Sequence, residues 1–222
     1  MEPSLRPFIT VYSEVSADGK STHRRGASSK PMMSFEDEHI RRYRHEIRAR
    51  SDAIMVGSNT VRLDNPHLTV RDATGPSPLR VVPCSMADLP LTSHIFSDKG
   101  RTLLAVSKAA PKERLLDLQS RGVKVVALGE NKVDLVALLD CLHSLGVNSL
   151  IVEGGATLLS AFFRASLVDR LIVQHLPVIF GGDDTPAMVG GAAVATIDEA
   201  IMLQLTEVQR IGNHAVIIYE RR

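Results

Sequence analysis

The sequence of 222 residues contains no tryptophan, and aromatic residues make up only 4% of it. Surfaces that bind single-stranded nucleic acid combine stacking aromatic side chains with cations, so the composition argues against that role. The formal net charge is +1, which gives no overall field that would attract nucleic acid or an acidic membrane. We therefore expect neither nucleic acid nor a membrane as a partner.

Cysteine is also scarce. Cys84 and Cys141 are the two cysteines, and neither has a second cysteine or a histidine at zinc-ligand spacing. They could pair, but two free thiols in a reducing compartment fit this composition better. Residues 1–7 lack the apolar core of a signal peptide, and no apolar run approaches the roughly 20 residues that span a bilayer. The default expectation is a cytoplasmic location.

Several catalytic signatures are missing. The sequence has no phosphate loop ending in Gly-Lys-Ser/Thr, no Gly-x-Ser-x-Gly elbow, and no His-x-Glu followed by Pro-Cys-x-x-Cys as in zinc deaminases. Asp183 and Asp184 follow a diglycine, but no third ligand lies at a sensible spacing for a metal. We expect no metal site.

The sequence does contain short β-branched runs that alternate with helical patterns. Strands are predicted at residues 8–12, 53–56, 79–82, 102–106, 123–128, 149–152, 171–173 and 178–180. Helices are predicted after an N-cap at Ser34 through Arg48, and at residues 112–121, 134–145 and 157–165. Residues 204–210 and 215–219 flank Gly212-Asn213-His214 and predict a closing hairpin.

This alternation predicts an α/β fold in a single domain over residues 1–222. We expect a mixed sheet that is mainly parallel, with helices on both faces and an antiparallel hairpin at the C-terminal edge.

One candidate binding segment begins at Glu153. An apolar strand runs into Glu153, Gly154 and Gly155, and a helical pattern follows at once. Glycine lets the backbone approach a ligand closely, and the free N–H groups of a helix start favour an anion such as a dinucleotide pyrophosphate. An ordinary tight strand-to-helix connection has the same pattern. The Glu153 carboxylate, however, follows a central strand where α/β sheets bind ligands, and there it can hold a hydroxyl-rich substrate.

A second candidate segment spans residues 56–71 and is dense in hydrogen-bonding side chains. Thr60 and Asp64 are four residues apart, so one helical turn places both on the same face. Arg71 can grip a phosphate through two hydrogen bonds. The chemistry alone fits a capped surface loop equally well. Lys20, which follows the Asp18-Gly19 turn, either faces a ligand or belongs to an ordinary turn.

Taken together, these segments resemble the riboflavin-biosynthesis pyrimidine reductase family. The likeness covers residues 8 to about 182 and is carried, in family order, by Asp18-Gly19-Lys20, Val56-Gly57, Thr60-Val61, Asp64-Asn65-Pro66, Leu68-Thr69-Val70-Arg71, Glu153-Gly154-Gly155, Thr157-Leu158, Leu167-Val168-Asp169, and Pro177 with Phe180-Gly181-Gly182. The resemblance implies a dihydrofolate-reductase-like fold, a homodimer and an NADPH-dependent oxidoreductase. The implied reaction reduces a ribosylaminopyrimidine 5′-phosphate to the ribitylamino product by hydride transfer to C1′ of the sugar.

The resemblance also implies roles for individual residues. The implied cofactor contacts are Thr60, Asp64, Ser85, Gly154, Gly155, Ala156, Thr157 and Leu158. The implied substrate contacts are Ser29, Arg48, Leu68, Arg71 and Glu153, with Arg71 near the 5′-phosphate. No catalytic residue is assigned, and Glu153 and Lys20 are the candidates for proton transfer.

The chain departs from the family pattern after the strand predicted at residues 79–82. The family usually has Asp-Ser there and then an arginine before a proline, whereas here Cys84 precedes Ser85 and Asp88 stands near the arginine's place before Pro90. An acid beside an adenosine 2′-phosphate disfavours NADPH electrostatically, so NADH stays open as the cofactor. Val178 stands where the family often has a lysine, which leaves the role of that position open.

Three other functions stay open at this point. The first is a dihydrofolate or other pteridine-type reductase on the same fold, and the second is a non-catalytic nucleotide-binding protein. The third is one subunit of a deaminase–reductase complex, because the missing zinc motif leaves deamination to another protein. A free-standing reductase suits a pathway that reduces before it deaminates, with a 2,5-diaminopyrimidinone as substrate, and the deaminated aminouracil also stays open.

Overall fold

A computed structural model of the protein describes residues 6–97 and 100–222. The strands of the described residues are β1 Phe8–Ser16, β2 Ala53–Met55, β3 Leu79–Pro83, β4 Thr102–Val106, β5 Lys124–Ala127, β6 Ser149–Val152, β7 Arg170–Leu176, β8 Leu203–Ile211 and β9 His214–Arg221. They form one sheet in the order β5-β4-β3-β2-β6-β1-β7-β9-β8. Neighbours from β5 to β7 pair in parallel, whereas β9 pairs antiparallel with β7 and β8. The predicted mixed sheet with a C-terminal hairpin is confirmed.

Helices cover both faces of this sheet, as predicted. The helices are α1 Glu38–Ala49, α2 Ser58–Asp64, α3 His94–Ser97, α4 Lys112–Ser120, α5 Leu135–Ser144 and α6 Ala156–Arg164, with short 3₁₀ helices at Lys30–Phe35 and Ile197–Glu199. Successive strand residues point to opposite faces, so Met55 of β2 packs with α5 and α6 while Ile54 packs with α1, α2 and α4. The central strand β2 is therefore fully buried, as a parallel strand between two helical layers must be.

Two local predictions are wrong. The N-cap of α1 is Asp37, whose carboxylate accepts a hydrogen bond of 3.0 Å from the Ile40 amide. Ser34 lies in the preceding 3₁₀ helix, where its hydroxyl donates to the Pro31 carbonyl at 2.7 Å. The predicted strand at residues 178–180 is also absent, because β7 ends before Pro177, which has no N–H to donate to a ladder.

The predicted lack of a signal peptide in residues 1–7 falls mostly on residues 1–5, which lie outside the described residues. Within residues 6–97 and 100–222, no helix combines the length and the apolar character that crossing a bilayer requires.

Candidate active site

A cavity of about 980 Å³ opens at the carboxyl ends of β1, β2, β3 and β6. Parallel strands end at one edge of a sheet, so residues that follow different strands meet there. Gly57 follows β2, Ser85 follows β3 and Glu153 follows β6, and all three line the cavity. The lining includes every residue for which the family resemblance implied a cofactor or substrate contact: Ser29, Arg48, Thr60, Asp64, Leu68, Arg71, Ser85, Glu153, Gly154, Gly155, Ala156, Thr157 and Leu158.

The polar centre of the cavity is an ion pair between Arg48 of α1 and Glu153. The guanidinium donates through Nε at 2.6 Å and through a terminal nitrogen at 2.5 Å, and each side chain is 10% exposed. Arg48 also donates to the Thr69 carbonyl at 3.2 Å. Burial alone would raise the pKa of Glu153, but the charge and hydrogen bonds of Arg48 outweigh it and hold that pKa below its usual value. Glu153 is therefore ionised at neutral pH and acts as a hydrogen-bond acceptor rather than a proton donor.

A second buried charge cluster, which the sequence reasoning missed, lies beside this pair. Arg44 of α1 makes two hydrogen bonds to Glu36, at 2.7 and 2.9 Å, and also donates to Glu14 of β1. Gln174 of β7 donates to Glu36 at 3.1 Å and accepts from the Tyr12 hydroxyl. The signal was the four-residue spacing of α1 residues 40, 44 and 48, which places two arginines on the buried face of the helix.

His45 of α1 is completely buried. Its Nδ1 accepts hydrogen bonds from the backbone amides of Arg71 at 2.8 Å and Asp72 at 3.3 Å. The ring proton is therefore on Nε2, which lies 3.4 Å from the Asp72 carboxylate. Burial, and then the charge of Arg48, lower the pKa of His45 to about 4. The neutral ring fixes the backbone that carries Arg71 at the cavity.

We expect His45 to make stability depend on pH. Because its folded pKa lies below the unfolded value of 6.5, its contribution is complete above that value and is lost as the pH falls towards the folded pKa. The loss should reach about 2 kcal/mol near pH 5. Urea unfolding of His45→Gln, which keeps an acceptor but does not titrate, should show a flatter pH profile between pH 7 and 5. A profile identical to that of the parent chain would contradict this role.

Thr60 and Asp64 both lie on α2 and line the cavity. Asp64 accepts hydrogen bonds from the Ser29 amide at 3.0 Å and the Ser29 hydroxyl at 2.7 Å. It thereby holds the loop before the first 3₁₀ helix at the cavity.

Leu68, which also lines the cavity, adopts a positive φ of 55° with a buried side chain. This conformation costs energy for a branched residue and often marks functional sites.

The glycine turn after β6 forms the opposite wall. Gly154 and Gly155 have φ values of 126° and 89°, which favour glycine over any other residue. Gly155 is the N-cap of α6 and provides no side-chain cap, so the first amides of this helix are available to an external acceptor. A Cβ on Gly155 would lie 3.1 Å from the Thr60 hydroxyl oxygen. These amides and the adjacent hydroxyl form a donor set that fits a dinucleotide pyrophosphate.

Replacing Gly155 with alanine should weaken dinucleotide binding about tenfold. The new Cβ would crowd the Thr60 hydroxyl where the pyrophosphate would lie. The positive φ adds about 1–2 kcal/mol of backbone cost to the fold in this variant and in its control alike. The matched control is Gly122→Ala, since Gly122 also has a positive φ but a Cβ added there would have no neighbour within 4 Å. Isothermal titration with NADP⁺ checks the prediction, and equal affinity losses in the two variants would contradict it.

The departure from the family pattern after β3 forms a compact polar cluster. Asp88 accepts hydrogen bonds from Arg62 of α2 at 2.5 Å and from the Cys84 thiol at 3.1 Å. Burial, and then Asp88, raise the pKa of Cys84 to about 11, so the thiol stays protonated and donates. Ser85 accepts a hydrogen bond from the Val133 amide at 3.1 Å. The charge of Asp88 is thus compensated by Arg62 and does not stand alone beside the cavity.

Lys20 is the one candidate residue that does not line the cavity. Its ammonium donates to the Gly182 carbonyl at 3.1 Å, and its backbone bridges to Ala187. Asp18 in the same turn accepts from the Gly181 amide at 2.8 Å. This segment ties β1 to the loop after β7, which disfavours Lys20 as a proton donor. No group of three His, Cys, Asp or Glu side chains in the described part of the chain is arranged to hold a metal ion.

The fold and the cavity together define an α/β protein with a large ligand site at the carboxyl edge of the parallel strands of a mixed sheet. Residues 7–217 match the RibD C-terminal domain, and the chain belongs to that family.

Comparison with individual proteins agrees with this assignment. The chain is 46% identical over 201 residues to the 2,5-diamino-6-ribosylamino-4(3H)-pyrimidinone 5′-phosphate reductase of Aquifex aeolicus, covering 90% of each protein. The protein of the same name from Methanothermobacter thermautotrophicus is 38% identical over 218 residues, covering 97% of this chain and 98% of that one. The RibD structure of Acinetobacter baumannii has a TM-score of 0.82 at 22% identity, covering 99% of this chain and 59% of that chain. The last comparison supports the fold.

Proposed function

We propose that this chain is an NADPH-dependent reductase that converts a ribosylaminopyrimidine 5′-phosphate to its ribitylamino product in riboflavin biosynthesis. The observation that carries the proposal is one cavity with two chemically different halves. The glycine turn and the start of α6 offer backbone donors for a pyrophosphate, while Arg48, Glu153 and Arg71 offer charged groups for a phosphorylated sugar. Relatives that align over nearly their full length carry the name of this reductase.

The nicotinamide would supply the hydride when the cofactor is bound, and the chain's residues would provide alignment. Each carboxylate oxygen of Glu153 accepts one hydrogen bond from Arg48 and keeps a lone pair for a sugar hydroxyl. Arg71 would hold the 5′-phosphate through charge-assisted hydrogen bonds. Holding the sugar at both ends would align its C1′ with the nicotinamide, and such alignment lowers the barrier to transfer.

The substrate we favour is the 2,5-diaminopyrimidinone, because it appears in the names of the relatives that match over nearly their whole length. The test supplies NADPH with either the diaminopyrimidinone or the deaminated aminouracil nucleotide and follows cofactor oxidation. We expect much higher kcat/KM for the diaminopyrimidinone. A preference for the aminouracil would overturn the substrate assignment. If NADPH is oxidised with neither compound, the proposed function is overturned.

The cavity disfavours a pteridine-type reductase. Tyr12 is the single Phe, Tyr or Trp among the described lining residues, whereas Arg25, Arg44, Arg48 and Arg71 all line it. Such a basic, aromatic-poor wall suits a phosphorylated sugar better than a flat heterocycle between aromatic rings. The single domain over residues 1–222, the homodimer, the cytoplasmic location, and the lack of nucleic-acid and membrane partners stay predictions.

A further inference from the structure

The sheet order places the two ends of the proposed cofactor along the cavity. Glu153 follows β6, and β2 lies between β6 and β3. Neighbouring strands are about 4.8 Å apart, so the end of β3 is about 10 Å from the end of β6. With the pyrophosphate at the α6 start and the nicotinamide beside Glu153, the adenosine must lie towards β3 and β5. The cavity lining there includes Ser58, Ser85, Asn131 and Lys132.

The loop after β5 that carries Lys132 is held by backbone hydrogen bonds. The Lys108 amide donates to the Gly129 carbonyl at 2.9 Å, and the Val133 amide donates to the Ser85 hydroxyl at 3.1 Å. Gly129 has a φ of 83°, and a Cβ there would lie 2.2 Å from the Lys132 carbonyl oxygen. The loop is thus a tight glycine-dependent turn anchored on a residue of the cavity wall. Its hydrogen bonds fix where Lys132 stands.

The charges around this end of the cavity leave Lys132 uncompensated. Arg62 is paired with Asp88 at 2.5 Å, and Lys108 is paired with Glu130 at 2.6 Å. The exposed Lys132 side chain makes neither an ion pair nor a hydrogen bond with any residue in the described ranges. The Ser85 hydroxyl already accepts from Val133 and keeps its own proton to donate. Asp134, two residues further on, caps α5 and accepts hydrogen bonds from the Val136 and Ala137 amides. An ammonium without an ion-pair partner in the described ranges and a hydroxyl donor therefore face the adenosine end.

We propose that Lys132 binds the 2′-phosphate of NADPH and sets the preference for NADPH over NADH. The inference rests on the proposed function. A phosphate monoester carries nearly two negative charges and three acceptor oxygens at neutral pH, which suits an ammonium beside a hydroxyl donor. A bare 2′-hydroxyl gains little from the same ammonium. After β3 this chain has Asp88 near the place where the family pattern has an arginine. Lys132 supplies a positive charge from the loop after β5 instead.

The test titrates the full chain with NADP⁺ and with NAD⁺ by calorimetry. Lys132→Gln should weaken NADP⁺ binding at least tenfold and change NAD⁺ binding less than twofold, while Lys132→Arg keeps most of the preference. Lys124→Gln is the matched control, because it removes one positive charge from an exposed site on β5 that does not line the cavity and has no ion-pair partner among the described residues. It should leave the ratio of the two affinities unchanged.

An unchanged affinity ratio in Lys132→Gln, or the same loss in Lys124→Gln, would overturn the assignment. Equal affinity of the parent chain for NADP⁺ and NAD⁺ would also overturn it, yet would leave the proposed reduction intact if turnover with NADH is observed. Conversely, a lysine-dependent NADP⁺ preference without turnover of any ribosylaminopyrimidine phosphate would overturn the proposed function and support the site. Thermal unfolding of each variant checks that the fold is preserved.

Discussion

Replacing Glu153 with alanine should reduce kcat/KM by ten- to a hundredfold or more while leaving NADP⁺ affinity within about twofold. The carboxylate is the proposed acceptor for sugar hydroxyls, and losing a hydrogen bond to a charged group costs about 1.5–3 kcal/mol. In the proposed function the glycine turn and α6 hold the cofactor instead, and among the described residues the Glu153 side chain hydrogen-bonds to Arg48 and not to them. Steady-state kinetics and calorimetry on the same preparation separate the two effects.

The same substitution should also destabilise the fold. Arg48 and Glu153 are each 10% exposed, and removing one partner of a buried pair typically costs about 3–5 kcal/mol because the other charge is left unpaired. Urea unfolding measures this loss. The double replacement of Arg48 and Glu153 by methionine should recover much of the stability but none of the activity.

The control for Glu153 is Glu220→Ala, which removes a half-exposed carboxylate paired with Arg170 on the distant edge of the sheet. It should leave both kinetics and cofactor affinity unchanged. If NADP⁺ affinity falls as much as kcat/KM in Glu153→Ala, Glu153 contacts the cofactor and not the substrate.

Replacing Arg71 with alanine should raise KM for the phosphorylated substrate about tenfold or more. Its backbone is fixed by His45 at 2.8 Å, while its guanidinium is exposed and donates only to the Thr69 hydroxyl at 3.1 Å among the described residues. The side chain is therefore placed at the cavity with most of its donors free. A charge-assisted hydrogen bond to the 5′-phosphate contributes about 1.5–3 kcal/mol.

The dephosphorylated nucleoside provides the decisive comparison for Arg71. Parent and variant should reduce it with the same, poor kcat/KM, since the interaction removed by the substitution is already missing from the substrate. Arg50→Ala serves as the control. Arg50 is the exposed C-cap residue of α1 and does not line the cavity. A KM unchanged in Arg71→Ala would exclude Arg71 from the phosphate site.

Much of the fold could be predicted from the sequence because its signals are local. The β-branched runs predict strands, and the Gly212-Asn213 turn predicts a hairpin. Glu153 directly follows an apolar strand, which predicts its place at the carboxyl ends of the strands. The helix α2 was not among the predicted helices, because Val61 is its one buried apolar residue and leaves no periodic signal.

The contacts inside the cavity could not be predicted, because they join residues far apart in the chain. Arg48 and Glu153 are 105 positions apart, and Asp64 contacts Ser29 through a loop with no regular pattern. Hydrophobic periodicity correctly predicted the helix α1 but not the whole of its buried face. The buried face of that helix includes Arg44 and His45, and their polar atoms find partners only in other elements.

The most direct test of the reductase function is hydride transfer itself. The purified chain would be given NADPH with deuterium at both C4 positions of the nicotinamide together with the 2,5-diaminopyrimidinone nucleotide, and the product examined by mass spectrometry and NMR. The proposed function predicts one deuterium per product molecule, on C1′ of a ribityl chain, with one cofactor oxidised for each product formed. A product without deuterium at C1′, or no oxidation of the cofactor, would contradict it.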